Sequence, residues 1–456
     1  MKVYGLAPLM YSACSWYRTM LPWRTMQNMK LADPIIDQYD LNIPHAAERR
    51  AHATMYADIC QYYNNYSPAF EISVKQAGDF GAYWESEDRW NFGPNLVMDT
   101  DDNIFDVEPL NPAFENLGWK VNGNVVTKNQ AISLEIPDIG RKVLFQDGIE
   151  GFDVEANVKR VSTFRKNVRC ANLLTTSTSR LGRLMAAETG QGNIHVYPNC
   201  IDFNDWPMVD LRQDDKKVKI LWQSSSCHFE DMWPLAKIIG EIHRKYENVE
   251  MIIFGSPYAW LLKQLVPERT QVIGWVPYSN YPLRMSTLGH DINLAPLHDS
   301  TFNQCRSAIR MYESAATWKP AATLAENTGP FADEILEGQT GLLFKTPEEF
   351  RTKLEALIED ATLRKTIAAN AKDWVRTNRD PAVHVPKLLE AYATLRADRR
   401  LVTLPPPALV LKDKHEPVPT VKSNVRKRKN ANRGTSVEAE HNGVHEPSGA
   451  ESPASS

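Results

Sequence analysis

Arg306, Arg310 and Glu313 stand at spacings of four and three residues in a run of helical character from about Ser307 to Trp318. On a helix those spacings share one face. Guanidiniums near a helix start, together with its free N–H groups and positive dipole end, bind anions. A carboxylate deeper along the same face can accept from hydroxyls. The set suits a ligand with phosphate at one end and hydroxyls at the other, such as a nucleotide diphosphate sugar. A second set is Asp99, Asp101 and Asp102, delivered by the apolar run Leu96–Met98. Carboxylates there can orient a hydroxyl, take its proton or hold a divalent ion. Ser224, Ser225, Ser226 and His228 form a third set, hydrogen-bonding groups that follow the apolar run Val218–Gln223.

The elements that must position these sets read as a repeating strand–helix pattern. A strand over about Asp291–Ala295 breaks at Pro296, and a loop carrying Thr301 and Asn303 leads into the Arg306–Glu313 helix. Lys319-Pro320 stops that helix. A small-residue strand (Ala321–Leu324), a loop to Gly329-Pro330, a helix and a Gly-rich turn complete a βαβα unit. Open α/β sheets bind ligands at the carboxyl ends of their strands. At the start of the chain, Lys2–Leu6 reads as a strand and Ala7–Ser15 as a small-residue loop, with a helix from near Trp16 carrying Tyr17 and Arg18; no GxGxxG follows. Ile35 and Ile36 suggest a strand, and Ala46–Tyr62 an amphipathic helix. Asn122-Gly123 between alternating runs predicts a β-hairpin within an insertion at about 112–137, and Val143–Gln146 a further strand. In the second half, a helix from about Phe229 carries Glu230 and Asp231 in its first turn, and strands are expected at Met251–Phe254 and from Val272.

The stretch Glu313-Ser-Ala-x-x-x-x-Pro320, the run Glu337-Gly-x-x-Gly341-Leu-Leu-Phe344 and the run Val196-x-Pro-Asn-x-Ile-Asp202 together resemble group-1 glycosyltransferases of the GT-B architecture. The resemblance covers roughly residues 1–400 and is strongest from 190 to 345. It implies two Rossmann-like α/β domains facing a cleft: 1–205 on the acceptor side, 206–381 holding the donor, and a helix over 382–400 crossing back to the first domain. It places the ribose-binding glutamate on Glu313. The family's other glutamate, eight residues earlier, is Cys305 here, with Asn303, Arg306 and Ser307 as local substitutes. The usual Arg and Lys for the donor phosphates are missing after Val218–Gln223. Ser224, Ser225 and His228 stand there instead, and Arg306 and Arg310 supply the charge. The resemblance puts Trp275–Pro277 near the nucleobase, Tyr17-Arg18 over the cleft with Arg18 a further donor-binding candidate, and Asp99, Asp101 and Asp102 on the acceptor side as catalytic candidates. Cys200 replaces the usual glycine of the linker motif, so Asn199 is expected in the left-handed conformation. The activity implied is sugar transfer from a nucleotide diphosphate sugar to an acceptor hydroxyl with retention, without a metal or other cofactor. Acceptors used by proteins of this build include polysaccharide, protein and modified DNA bases.

Composition bounds the alternatives. Hydrophobic residues make up 43% and charged residues 24% of the 456-residue chain, as in soluble globular enzymes. A net charge of −4 carries no whole-protein nucleic-acid footprint. Six scattered cysteines without a CxxC pair argue against a zinc framework and suit a reducing compartment. No run approaches a membrane span, so a cytoplasmic protein is expected. From 404 to 456 the composition turns to Pro, Ser, Gly and charge, which predicts a disordered tail with a basic run at Lys422–Arg433. That run sustains a rival reading, a degenerate GT-B-like protein binding nucleic acid or another acidic partner through its tail. A second rival is another enzyme of the same fold, an epimerase or a phosphorylase.

Overall fold

The computed structural model describes residues 1–7, 12–38, 57–63, 95–136, 140–209 and 216–397. The first-half strands are β1 (Lys2–Ala7), β2 (Asp33–Gln38), β3 (Ile59–Tyr63), β4 (Asn95–Thr100), β5 (Lys120–Val121), β6 (Asn124–Val125), β7 (Ala131–Ile136), β8 (Gly140–Gln146), β9 (Leu173–Thr176) and β10 (Ile194–Val196). The second half adds β11 (Val218–Ser224), β12 (Val249–Gly255), β13 (Thr270–Ile273), β14 (Ile292–Ala295), β15 (Ala322–Glu326) and β16 (Leu342–Phe344). Two six-stranded sheets result, ordered β10-β9-β4-β3-β1-β2 and β13-β12-β11-β14-β15-β16. Every pairing in both is parallel. Parallel strands covered on both faces need continuous apolar runs. The central strands have them: β3 and β4 are buried at every residue. This is the two-sheet α/β architecture expected of a GT-B chain.

In the second sheet the strand order reverses between β11 and β14, which opens a crevice at their carboxyl ends. Gly255 ends β12 at φ 105°, and a Cβ there would lie 2.0 Å from the Ser224 carbonyl oxygen. Only glycine lets the two strand ends come this close. The helix Pro381–Ala397 returns to the first sheet, where the Tyr392 hydroxyl donates to Gln61 Oε1 of β3 at 2.9 Å.

Several local expectations change. Ile59–Tyr63 is a strand between β1 and β4 rather than the end of a helix, and 46–56 lies outside the described residues. A short buried apolar run reads equally as helix or strand until its partners are known. The Asn122-Gly123 turn is present, with φ of 50° and 78° as a tight hairpin demands. The insertion runs further than expected, because Val143–Gln146 pairs antiparallel with β7 in a second hairpin. Asn199 has no positive φ, so the linker needs no left-handed residue there. The 404–456 tail lies outside the described residues.

The interior of the first half is fastened by Arg18, on a π-helical turn at Trp16–Met20. Its guanidinium grips Asp99 through Nε (2.9 Å) and Nη2 (2.7 Å). Its Nη1 donates to the Tyr197 carbonyl at 2.5 Å and to Asn199 Oδ1 at 3.1 Å. Both Arg18 and Asp99 are 1% exposed. Burial alone would lower the arginine pKa, but the Asp99 carboxylate beside it holds it above its ordinary value. Arg18 was expected at the donor and Asp99 in catalysis; as placed, each satisfies the other inside the fold, with Thr175 as a further donor to Asp99. Removing one member of a buried, hydrogen-bonded pair costs about 3–5 kcal/mol. Arg18→Met should therefore lower unfolding free energy in urea by about that amount, and Arg18→Met/Asp99→Leu by less than the two single losses combined. A loss below about 1 kcal/mol in Arg18→Met would show that the pair is not what fastens this region.

Candidate functional site

Ser224 closes β11 at the switch point, and the turn after it carries Ser225, Cys227 and His228. Opposite lie Arg306 and Arg310, although not on one helix. The chain forms a short helix at Thr301–Gln304, opens, and resumes at Ile309–Ala316, so Arg306 sits in the connection ahead of the helix that carries Arg310 and Glu313. Arg306 Nη1 and Nη2 each lie 3.7 Å from Cys227 Sγ, and Nη1 lies 3.4 Å from His228 Nδ1. Its Nε is 3.9 Å from Asp102 Oδ1 of the first half. Burial alone would raise the Cys227 thiol pKa, but His228 and the Arg306 guanidinium bring it well below its ordinary value.

Arg310 is only 7% exposed. Its Nη2 donates to the Pro296 carbonyl at 2.6 Å, while its Nη1 is buried without a hydrogen-bond partner. The guanidinium also faces the Trp222 and Phe331 rings at 5.5 and 5.7 Å. Burial brings its pKa down to about 10, so it remains charged at neutral pH. A buried cationic N–H without an acceptor is costly, and it marks where an anion oxygen would be stabilised. Ser224 Oγ is a second buried group without a partner at the same strand end.

Asp231 organises the floor of this region. It accepts from Asn303 Nδ2 (3.0 Å) and the His298 backbone N–H (3.0 Å), and its two oxygens pair with Nδ1 of His228 (2.6 Å) and of His298 (2.7 Å). Burial would raise this carboxyl, but the two histidines hold it far below the usual carboxylate range. Asn303 is thus buried and committed to the framework, also donating to the His298 carbonyl at 3.1 Å.

Glu313 lies deeper, 6% exposed, inside a cage of donors. Tyr17 OH donates to Oε1 at 2.7 Å, and Tyr281 OH (2.9 Å) and Gln223 Nε2 (3.2 Å) donate to Oε2. Tyr278 OH donates in turn to Tyr17 at 3.0 Å, and the Tyr278 ring stacks on Trp16. Burial pushes the Glu313 carboxyl up to about 7 against these hydrogen bonds.

The structure therefore brings together Ser224, Ser225, His228, Arg306, Arg310, Asn303 and Asp102 around the crevice, with Glu313 beneath. Ser307 Oγ accepts from Asn199 Nδ2 at 2.9 Å, which ties the connection to the linker. Asp101 accepts from Tyr63 OH at 2.5 Å, and burial with the adjacent Asp102 charge raises its pKa to about 6. Trp275 is 73% exposed, which excludes a core-packing role. His298, Gln223, Tyr281 and Cys227 were not singled out from the sequence. The only signal for them was position, each lying at or just beyond the carboxyl end of a strand or at the start of a helix.

Because the folded Glu313 pKa lies above its ordinary 4.5, the proton it carries favours the fold at low pH. That contribution is complete below about 4.5 and is lost as pH rises through about 7. At about 1.4 kcal/mol per pH unit, ionising the buried group costs of order 3 kcal/mol. Glu313→Gln should accordingly gain stability relative to wild type between pH 5 and 8 in urea unfolding, and a pH-independent difference would contradict the buried, cage-held carboxyl.

Neither protein-family models nor curated proteins match the sequence. Solved structures do match. Sucrose-phosphate synthase from Thermosynechococcus elongatus superimposes with a TM-score of 0.57 at 9% identity, over 87% of this chain and 99% of that one. Anabaena HepE in complex with UDP gives 0.55 at 12% identity, over 86% and 100%. A glycosyltransferase from Rickettsia africae gives 0.55 at 12% identity, over 87% and 99%. The paired parallel sheets, the switch-point crevice and these superpositions along nearly the whole of each neighbour give this chain the GT-B fold.

Proposed function

We propose that the chain is a group-1 glycosyltransferase that moves a sugar from a nucleotide diphosphate sugar to an acceptor hydroxyl. The observation that carries this reading is the buried, partnerless Nη1 of Arg310 beside Arg306, at the carboxyl-end crevice of a sheet with dinucleotide-fold strand order. A diphosphate oxygen in that crevice would satisfy Arg310, and Arg306 and Ser224 would flank it. Neutralising a leaving diphosphate, whose charge grows during transfer, is what such a site can contribute to rate. Here guanidiniums rather than a metal carry that charge. Glu313 would receive the ribose hydroxyls, which exchange for the hydroxyl of Tyr17. The solvent-facing Trp275 is available to a base. HepE, of the same fold, was solved with UDP, which makes UDP-sugars the first donors to test.

In the reaction, the acceptor oxygen bonds to the anomeric carbon, the bond from that carbon to the diphosphate breaks, and the acceptor proton passes to a phosphate oxygen on the same face. Retention follows from this front-face route. With Asp99 committed to Arg18, the acceptor side falls to Asp101 and the half-buried Asp102, which lies at the cleft opposite Arg306. The nucleic-acid reading gains nothing from the crevice, and its basic run lies outside the described residues. Among the described residues no helix is long and apolar enough to cross a membrane.

A thermal-shift and hydrolysis panel of nucleotide sugars tests the proposal: one donor should raise Tm and be slowly hydrolysed, and no response across the panel would overturn it. Arg310→Met, which keeps contact with Trp222 and Phe331, should weaken nucleoside diphosphate binding by about 10- to 100-fold, as for losing a hydrogen bond to a charged group. Binding of the bare nucleoside should stay unchanged. Equal loss for nucleoside and diphosphate would place Arg310 away from the phosphates.

A further inference from the structure

Beside the anion crevice, three side chains from three chain segments converge. Glu108 comes from the first half, after β4. Glu230 lies in the short helix Phe229–Met232 that follows β11 and its turn, and His298 follows β14. One ligand atom of each lies within 4.8 Å of the other two. His298 Nε2 is 2.9 Å from Glu108 Oε1. All three are half-buried, so two carboxylates and one imidazole share a partly desolvated space. Even a protonated imidazole leaves this group net negative.

A separate feature fixes how the imidazole faces. Asp231, 3% exposed, holds His298 through Nδ1 at 2.7 Å and through its backbone N–H at 3.0 Å. Nε2 is thereby turned toward the two glutamates. A buried carboxylate on one imidazole nitrogen, with the other nitrogen facing oxygen ligands, is the outer-shell arrangement that orients metal-binding histidines. Asn303 Nδ2 donates to the same Asp231 oxygen, Oδ1, at 3.0 Å.

We propose that Glu108, Glu230 and His298 bind a divalent transition-metal ion that ties the two halves of the chain together across the cleft. One nitrogen and two carboxylate donors suit Mn²⁺ or Zn²⁺ better than the all-oxygen preference of Mg²⁺ or Ca²⁺. The ion displaces any proton from His298 and supplies the positive charge that one imidazole cannot. Because the ligands come from both halves, binding favours the arrangement in which the halves meet. The proposal does not depend on the donor chemistry and stands or falls separately from it.

Manganese titration of the full chain, followed by electron paramagnetic resonance and calorimetry, tests it, since Mn²⁺ has little affinity for the free cysteines. One saturable equivalent is expected, with an accompanying rise in Tm and a weaker response to Mg²⁺. Glu230→Gln and Glu108→Gln keep side-chain size, and each should weaken Mn²⁺ binding at least about tenfold and remove the Tm rise while circular dichroism stays unchanged. Weak sites on histidines elsewhere in the chain would persist in both variants and so cancel in the comparison. Lack of a saturable site in the wild type, or wild-type affinity in both glutamine variants, overturns the proposal. If either variant misfolds, Glu108→Asp decides: it shortens one ligand, so an unchanged affinity there also overturns it.

Discussion

The buried grip of Arg18 on Asp99 is the interaction on which the rest of the first half, and its junction with the second, depends. A guanidinium has five N–H donors in a fixed fork, and here Nε, Nη1 and Nη2 all find acceptors on two segments: Asp99 near the end of β4, and Tyr197 and Asn199 leaving β10. The same arginine's carbonyl accepts from Gln61, whose other amide end meets Tyr392 of the returning helix. Asn199 passes the connection on to Ser307, just ahead of the helix that bears Arg310 and Glu313. A π-turn widens the helix locally, and along it successive residues serve different partners. Arg18 reaches into the first sheet's core, and Tyr17 reaches Glu313 of the second half. The position of the crevice wall is thereby coupled to an interior charge pair.

That coupling explains which parts of the molecule were legible in the sequence. Strand, breaker and helix could be read from Asp291 to Phe344 because proline, small residues and glycine punctuate that stretch at nearly every boundary. Arg306 and Arg310 were singled out with Glu313 by spacings of four and three that would share one helix face, at the carboxyl end of a strand in an open α/β sheet. Arg18, in the helix after the first strand, and Asp99, at the carboxyl end of the Leu96–Met98 strand, were assigned to the site by their place at strand ends. Nothing local to either residue tells that it meets a partner 81 positions away. The Asp231 hub was hidden in the same way. A carboxylate in a first helical turn reads as dipole complement, while its bond to His298 spans 67 residues. The second hairpin was missed because β7 and β8 alternate weakly and leave much of both strands exposed. Asn199 was given a backbone task, whereas its amide turned out to carry the information, bridging Arg18 and Ser307.

Glu313 shows how burial and hydrogen bonding divide the work. Desolvation raises its pKa, and the three donors of its cage oppose that without cancelling it. Ribose hydroxyls would be the same kind of donor as the tyrosine hydroxyls already present, so occupation by ligand need not change the charge state the cage supports. Arg310, one helical turn away, is depressed by burial yet stays charged, and Trp222 and Phe331 give it ring faces in place of water. The crevice thus holds its cation ready without a counter-ion in direct contact with Nη1.

Two Arg–Asp pairs in one molecule illustrate how geometry decides between framework and site. Arg18 and Asp99 are bidentate, at 2.7 and 2.9 Å, and sealed from water. Separating them would expose two bare charges to the interior, so they are fixed. Arg306 and Asp102 approach to only 3.9 Å across the cleft, each partly exposed, with one contact rather than a fork. A pair of that kind is worth about 1 kcal/mol or less in solvent. In the proposed reaction, an arriving anion would draw Arg306 away from Asp102 at little cost and leave that carboxylate to meet the acceptor hydroxyl. The residue types are the same in both pairs, and burial with contact number sets which one holds the fold and which one can respond to a ligand.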